Sequence, residues 1–276
     1  MKSAAGVGAW AIALALAAPA ALADAGDFSW PDGRKAAVSL AYDDALDSQL
    51  DHAIPALDRH GLRGSFYLQL SREPVQRRMA EWRAAARNGH ELGNHSLFHQ
   101  CSASKPDRAW VEPQRDLDTT TAAQMRDQVV LANSMLYAMD GATERTYTVP
   151  CGDTMASDGD YVATLGDQFV AIKVIGGAVV PNMRTLDPLA VPVDAPVGVS
   201  GAQLIAQVEE AARRGTMVNF TFHGIGGDYL TVSSEAHAQL LAYLDAHRDI
   251  YWTDTFVNLM RWVRQRQAAS KPASGD

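Results

Sequence analysis

The segment ELGNHSLFHQC sets His95 and His99 at positions i and i+4, with Cys101 just beyond. One turn of helical backbone brings such a pair together, and two imidazoles so placed can meet one divalent metal ion. The pair alone fits unrelated structural histidines equally well, so the remaining ligands have to be found elsewhere. Asp43 and Asp44 in AYDDA and His223 in TFHG are the other groups that could join it. One carboxylate with two imidazoles is an open ligand set for a hydrolytic metal, leaving room for water and substrate. Adjacent aspartates inside a strand face opposite ways. At a strand end the backbone can turn, so one can bind metal while the other takes a proton from water. His223 is placed to protonate a leaving group.

These residues need elements to position them. Strand-like apolar runs are AVSLAY (37–42), GSFYLQL (64–70), HELGNH (90–95), RTYTVP (145–150), FVAIKVI (169–175), MVNFTFH (217–223) and DIYWT (249–253). Helical patterns alternate with them, and several end at a glycine, as Gly141 and Gly215 illustrate. Such alternation predicts right-handed βαβ units and a parallel sheet. Seven or eight strands in one domain, about residues 30–265, suggest a barrel, with a doubly wound open sheet as the alternative. In a parallel barrel, chemistry gathers at the C-terminal ends of the strands. Asp43, Asp44, His95, His99, the Val149–Asp153 stretch and His223 all fall at those ends. Two long stretches, 100–118 and 176–198, read as irregular loops, and 266–276 as a flexible tail.

The first residues read as an export signal. Lys2 precedes an Ala/Leu-rich apolar run, and Ala21-Leu22-Ala23 fits a signal-peptidase site, so residues 1–23 are expected to be removed. The apolar run is shorter than the roughly 20 residues of a membrane span, and the mature chain contains no other candidate. A periplasmic or secreted protein follows, expected to act as a monomer. The net charge of −8 argues against a nucleic-acid partner. In an oxidising compartment Cys101 and Cys151 would form a disulfide, although Cys101 could instead join the histidines as a ligand.

Together, AYDDA (41–45), NHSLFH (94–99), TVPCGD (148–153) and TFHG (221–224) resemble the polysaccharide deacetylases with a NodB homology domain, carbohydrate esterase family 4. The resemblance implies a single distorted (β/α) barrel of an exported hydrolase that removes acetyl groups from carbohydrate, N-acetyl or O-acetyl. It implies Asp43 as general base and His223 as general acid. Asp44, His95 and His99 become ligands of a divalent metal, zinc foremost, with cobalt or nickel as alternatives. The backbone N–H of Cys151, following Pro150, becomes the oxyanion donor.

The chain departs from the family pattern in places. Ala45 stands where the family has glycine, which restricts that turn. Thr148-Val149-Pro150-Cys151 replaces R-P-P-Y, so the arginine that pairs with the base is missing and another group must tune Asp43. FVAIKVIGG lacks the family's Asp/Trp motif. Cys151 at the aromatic position suggests a bridge to Cys101. The alternative function is a catalytically weak glycan-binding protein that keeps the metal. A metalloprotease is disfavoured because HSLFH lacks the glutamate of HExxH, and a glycosidase because neighbouring aspartates cannot flank a bond. His52, His60, His90, His237 and His247 read as structural, Asp153 and Asp187 as ordinary loop acids, and Asp254 as a helix cap. Trp110 and Tyr229 would either stack on sugar or cover a loop.

Overall fold

The computed structural model describes residue 1 and residues 28–270, so the leader read at 1–23 lies, beyond its first residue, outside the described residues, as do the last residues of the tail. The strands are β1 (Ala36–Asp43), β2 (Ser65–Leu68), β3 (Glu91–Asn94), β4 (Thr146–Thr148), a small antiparallel hairpin of β5 (Met155–Ala156) and β6 (Gly159–Asp160), then β7 (Ala171–Ile175), β8 (Val191–Val193), β9 (Met217–Phe222) and β10 (Tyr251–Asp254). The helices are α1 (Ile54–Arg59), α2 (Glu73–Arg77), α3 (Met79–Arg87), α4 (Ala122–Asp140), α5 (Gly201–Arg214), α6 (Ser234–Ala246) and α7 (Phe256–Ser270).

Parallel ladders run β9–β1–β2–β3–β4–β7–β8. The ring then closes through Asp194, which bridges to Phe220: Asp194 N donates to Asn219 O at 3.3 Å and Thr221 N donates to Asp194 O at 2.8 Å. The result is a nearly closed barrel. Its distortion has a visible source in β1, which gives one edge to β9 and divides the other between β10 at Ala36–Ser39 and β2 at Ala41–Asp43.

Two sequence readings change. Part of the stretch read as irregular, 176–198, is strand β8, hidden by a proline in a strand of only 3 residues. Pro192 is tolerated because β7 pairs along one edge, while on the other Asn219 Nδ2 donates to the Pro192 carbonyl at 3.2 Å. In addition, α7 continues to Ser270, into the segment read as tail.

The helices are specified locally. Thr121 and Ser200 each form a reciprocal capping box, with Gln124 and Gln203, and α4 and α5 stop at Gly141 and Gly215 in the left-handed conformation. Leu204, Val208 and Ala211 of α5 are fully buried and join the core that Val38, Leu40, Val218 and Phe220 present on the outside of the barrel. Each such leucine or valine contributes about 1.5–3 kcal/mol through burial.

Inside the barrel, the floor beneath the rim is polar. Glu91 accepts from Ser65 Oγ at 2.7 Å, Thr146 Oγ1 at 2.5 Å and the Val257 N–H at 3.0 Å, and the Tyr67 hydroxyl bonds Thr146 Oγ1 at 2.7 Å. Gly93 is needed here, because a Cβ at that position would sit 2.4 Å from the Tyr67 ring.

Candidate active site

At the end of β1 the backbone turns through Asp44 at φ 79° and Ala45 at φ 56°. That turn is what lets two adjacent carboxylates face one centre. Past β3, Ser96 (φ 62°) and His99 (φ 55°) make a second such turn, held by Asn94 Oδ1 accepting from the Ser96 N–H at 2.7 Å and Ser96 Oγ from the His99 N–H at 2.9 Å. The two histidines therefore meet across a turn after a strand, not along the helical turn expected from their spacing. Cys151 lies at φ 56° on the neighbouring loop. Left-handed backbone costs an L-residue roughly 1–2 kcal/mol, and here it clusters where side chains converge.

The side chains meet closely. Asp44 Oδ1 lies 3.3 Å from both His95 Nε2 and His99 Nε2; Asp43 Oδ2 is 3.8 Å from His95 Nε2, and His223 Nε2 is 3.8 Å from Asp44 Oδ2. His95 Nδ1 donates to the Thr148 carbonyl at 2.8 Å, which directs Nε2 into the cluster as an electron-pair donor. The Tyr229 hydroxyl donates to Asp44 Oδ2 at 2.7 Å, leaving Oδ1 buried without a hydrogen-bond partner among the described residues.

An orphaned carboxylate oxygen between two imidazole nitrogens fits a divalent cation, and the ligand atoms of Asp44, His95 and His99 all lie within 4.8 Å of one another. Burial alone would raise the Asp44 carboxyl, but the close approach of His95 and the charges of His99, His95 and His223 hold it well below the usual range. Burial pushes Asp43 up, and only partly do His95 and His223 pull it back. Against burial, Asp43 and Asp44 raise His95 to about 9, whereas burial lowers His99 to about 4.

Several participants escaped the sequence reading. Lys173 on β7 is fully buried in the barrel and lines the same cleft as Asp43. Its ammonium donates to Ser39 Oγ at 3.3 Å and lies 4.4 Å from the Phe256 ring centroid and 5.2 Å from that of Tyr67. Burial lowers it to about 8, opposed by the charges of Asp43 and Glu91. Where the expected arginine is absent, the Lys173 charge acts on Asp43 across the cleft without an ion pair between them among the described residues, and a lone lysine within FVAIKVI was the signal for it. Gln49 Nε2 donates to the carbonyls of Asp43 at 2.5 Å and His223 at 3.2 Å, tying together the ends of β1 and β9. The His223 Nδ1 atom is buried without a hydrogen-bond partner among the described residues.

Cys101 and Cys151 form a disulfide, so neither offers a thiolate to the metal cluster. Asp153, read as an ordinary loop acid, is buried and anchors the 100–118 loop through the Ser102 N–H at 2.9 Å and the Lys105 ammonium. Chain spacing gave no hint of this contact. Over the cluster opens a cleft of about 870 Å³, with Pro150 buried behind its wall and Cys151 on it. Trp110 and Tyr229 both line it and are exposed.

The family model described as Polysaccharide deacetylase matches residues 31–170. Among solved structures, a Mycobacterium smegmatis protein described as a polysaccharide deacetylase is similar at 15% identity and a TM-score of 0.63, covering 91% of this chain and 97% of that one. The peptidoglycan deacetylase PdaC from Bacillus subtilis superposes with a TM-score of 0.53 at 15% identity, over 84% and 94%. A curated relative, gellan lyase from a Bacillus species, is 22% identical over 87% of this chain, which spans about 10% of that protein's length. No helix among the described residues is long and apolar enough to cross a membrane.

Proposed function

Because this chain belongs to the polysaccharide deacetylase family, we propose that it is an exported, divalent-metal-dependent hydrolase that removes acetyl groups from a carbohydrate. The observation that carries this reading is the convergence of Asp43, Asp44, His95, His99 and His223 beneath one cleft. Export is supported by the N-terminal leader pattern and by the disulfide. Asp44, His95 and His99 would hold the ion, and two imidazoles with one carboxylate suit zinc, with cobalt or nickel as alternatives. When bound, it supplies Lewis acidity toward the acetyl carbonyl and a more acidic water.

The chain's own groups do the rest. Asp43 takes a proton from the attacking water as its oxygen bonds the acetyl carbon. The carbonyl oxygen gains charge, and the backbone N–H of Cys151 donates to it, a contact worth about 3 kcal/mol in comparable oxyanion sites. His223 gives a proton to the departing amine or alkoxide as the C–N or C–O bond breaks, and acetate leaves. Lys173 keeps a positive charge near Asp43 and favours its ionised form.

The test is acetate release from chitooligosaccharides, peptidoglycan fragments and acetylated xylan, with zinc supplied or a chelator present. Chelator-sensitive release from at least one class is expected. Metal binding without release from any would favour a glycan-binding protein.

A further inference from the structure

The walls above the metal cluster carry a charge pattern opposite to that of the whole chain. The protein has a net charge of −8, yet outside Asp43 and Asp44 the charged groups lining the cleft are Arg72, Arg108, Arg115 and Lys173 against the single acid Glu112. Each of the three arginines lies against an aromatic ring of the cleft. Arg72 lies 5.5 Å from the Tyr229 ring centroid, Arg108 lies 5.7 Å from that of Trp110, and Arg115 lies 4.1 Å from that of Phe98.

Each pair is tied to a residue at the reacting centre. Tyr229 bonds Asp44, Arg108 Nη2 donates to the Cys151 carbonyl at 3.4 Å, and Phe98 sits between His95 and His99 in the chain. Arg72 and Arg115 have no carboxylate within ion-pair distance among the described residues. Arg108 has only Asp153 at 3.8 Å, an acid that Lys105 and the Ser102 N–H already hold. Arg72 Nε and Arg108 Nη1 are buried without hydrogen-bond partners among the described residues. Guanidinium groups backed by aromatic faces, with donors to spare, suit planar anions next to sugar rings.

We propose that the substrate is an acetylated acidic glycan, with carboxylates on sugars adjoining the acetylated one, and that Arg72, Arg108 and Arg115 bind them. The aromatic rings take the sugar faces while the arginines take the charge. This rests on the deacetylase reading above.

Two matched pairs of probes separate the two ideas. One is acetylated xylo-oligosaccharide with and without glucuronic acid branches; the other is a muramyl-containing peptidoglycan fragment and a chitooligosaccharide of equal length. Within the pair that reacts, the carboxylated member should show about tenfold or higher kcat/KM, carried by KM and shrinking as salt rises. Arg72→Met and Arg115→Met should each move the ratio of the paired substrates toward one. A ratio of one, or a preference for the neutral member, in the unaltered protein overturns the inference and leaves the deacetylase standing. No acetate from any of the probes overturns both.

Discussion

Replacing Lys173 by methionine removes a fully buried ammonium while keeping an unbranched side chain of similar length. Burial brings that group from 10.5 down to about 8 despite the pull of Asp43 and Glu91. At about 1.4 kcal/mol per pKa unit, the charge costs the folded state about 3 kcal/mol near pH 7. Below pH 8 the folded and unfolded chains both carry the charge, so the full cost is present. Between pH 8 and 10.5 the folded chain releases its proton first, and above 10.5 neither state is charged. The metal-free Lys173→Met protein should therefore melt about 6–10 °C higher than the parent at pH 7, and the gap should close as pH approaches 10. Activity should move the other way. Without the cation Asp43 is harder to ionise, so kcat near neutrality should fall, and the loss should deepen as pH is lowered. Calorimetry at pH 7 and 10 and acetate release with metal restored read the two effects. A lower melting temperature at pH 7, or a gap that does not depend on pH, refutes the buried-charge argument. A stabilised variant with full activity refutes the coupling to Asp43.

Asp43→Asn should lower turnover by about 10²-fold or more while retaining metal, whereas His95→Ala should lose both, as metal analysis beside acetate release would show. Tyr229→Phe removes the hydroxyl bonded to Asp44 and should weaken metal binding by about tenfold to a hundredfold in a competition titration, without changing the fold seen by circular dichroism. The paired change Cys101→Ser with Cys151→Ser opens a loop with a sequence separation of 50 and should destabilise the chain by about 4 kcal/mol in a urea titration.

The barrel was legible because β1, β2, β3, β4, β7, β9 and β10 are each apolar runs bounded by turn residues, and because Gly141 and Gly215 mark where helices between them stop. The gathering of Asp43, Asp44, His95, His99 and His223 followed from their places at strand ends. β8 was not legible, since a short strand with a central proline satisfies the rules for a loop. Lys173 was concealed differently: an apolar strand implies burial but does not say which strand residue points inward toward Asp43. Asp153, through Ser102 and Lys105, and Gln49, through the His223 carbonyl, act by contacts made far along the chain, which no local pattern encodes. Ala45 was readable as a restricted turn, and it adopts the left-handed backbone that glycine would take more easily.

The closure of the ring at Asp194 divides the barrel mechanically. Along β1 and β9 six residue pairs run in register, from Ala37↔Met217 to Tyr42↔Phe222, but among the described residues the other edge of β9 is held only by two isolated bridges, Asp194↔Phe220 and Val179↔Val218, and by the Asn219 amide. Deformation concentrates where a closed shell is joined thinly, so the amides of Val191 and Val193–Ala195 should exchange hydrogen sooner than those of β1. Val193 and Ala195 on that seam line the cleft, whereas Asp44 follows the stiff strand β1. A more compliant wall then faces a stiffer one, so that widening the cleft at the first would leave the spacing of Asp43, Asp44 and His223 in place.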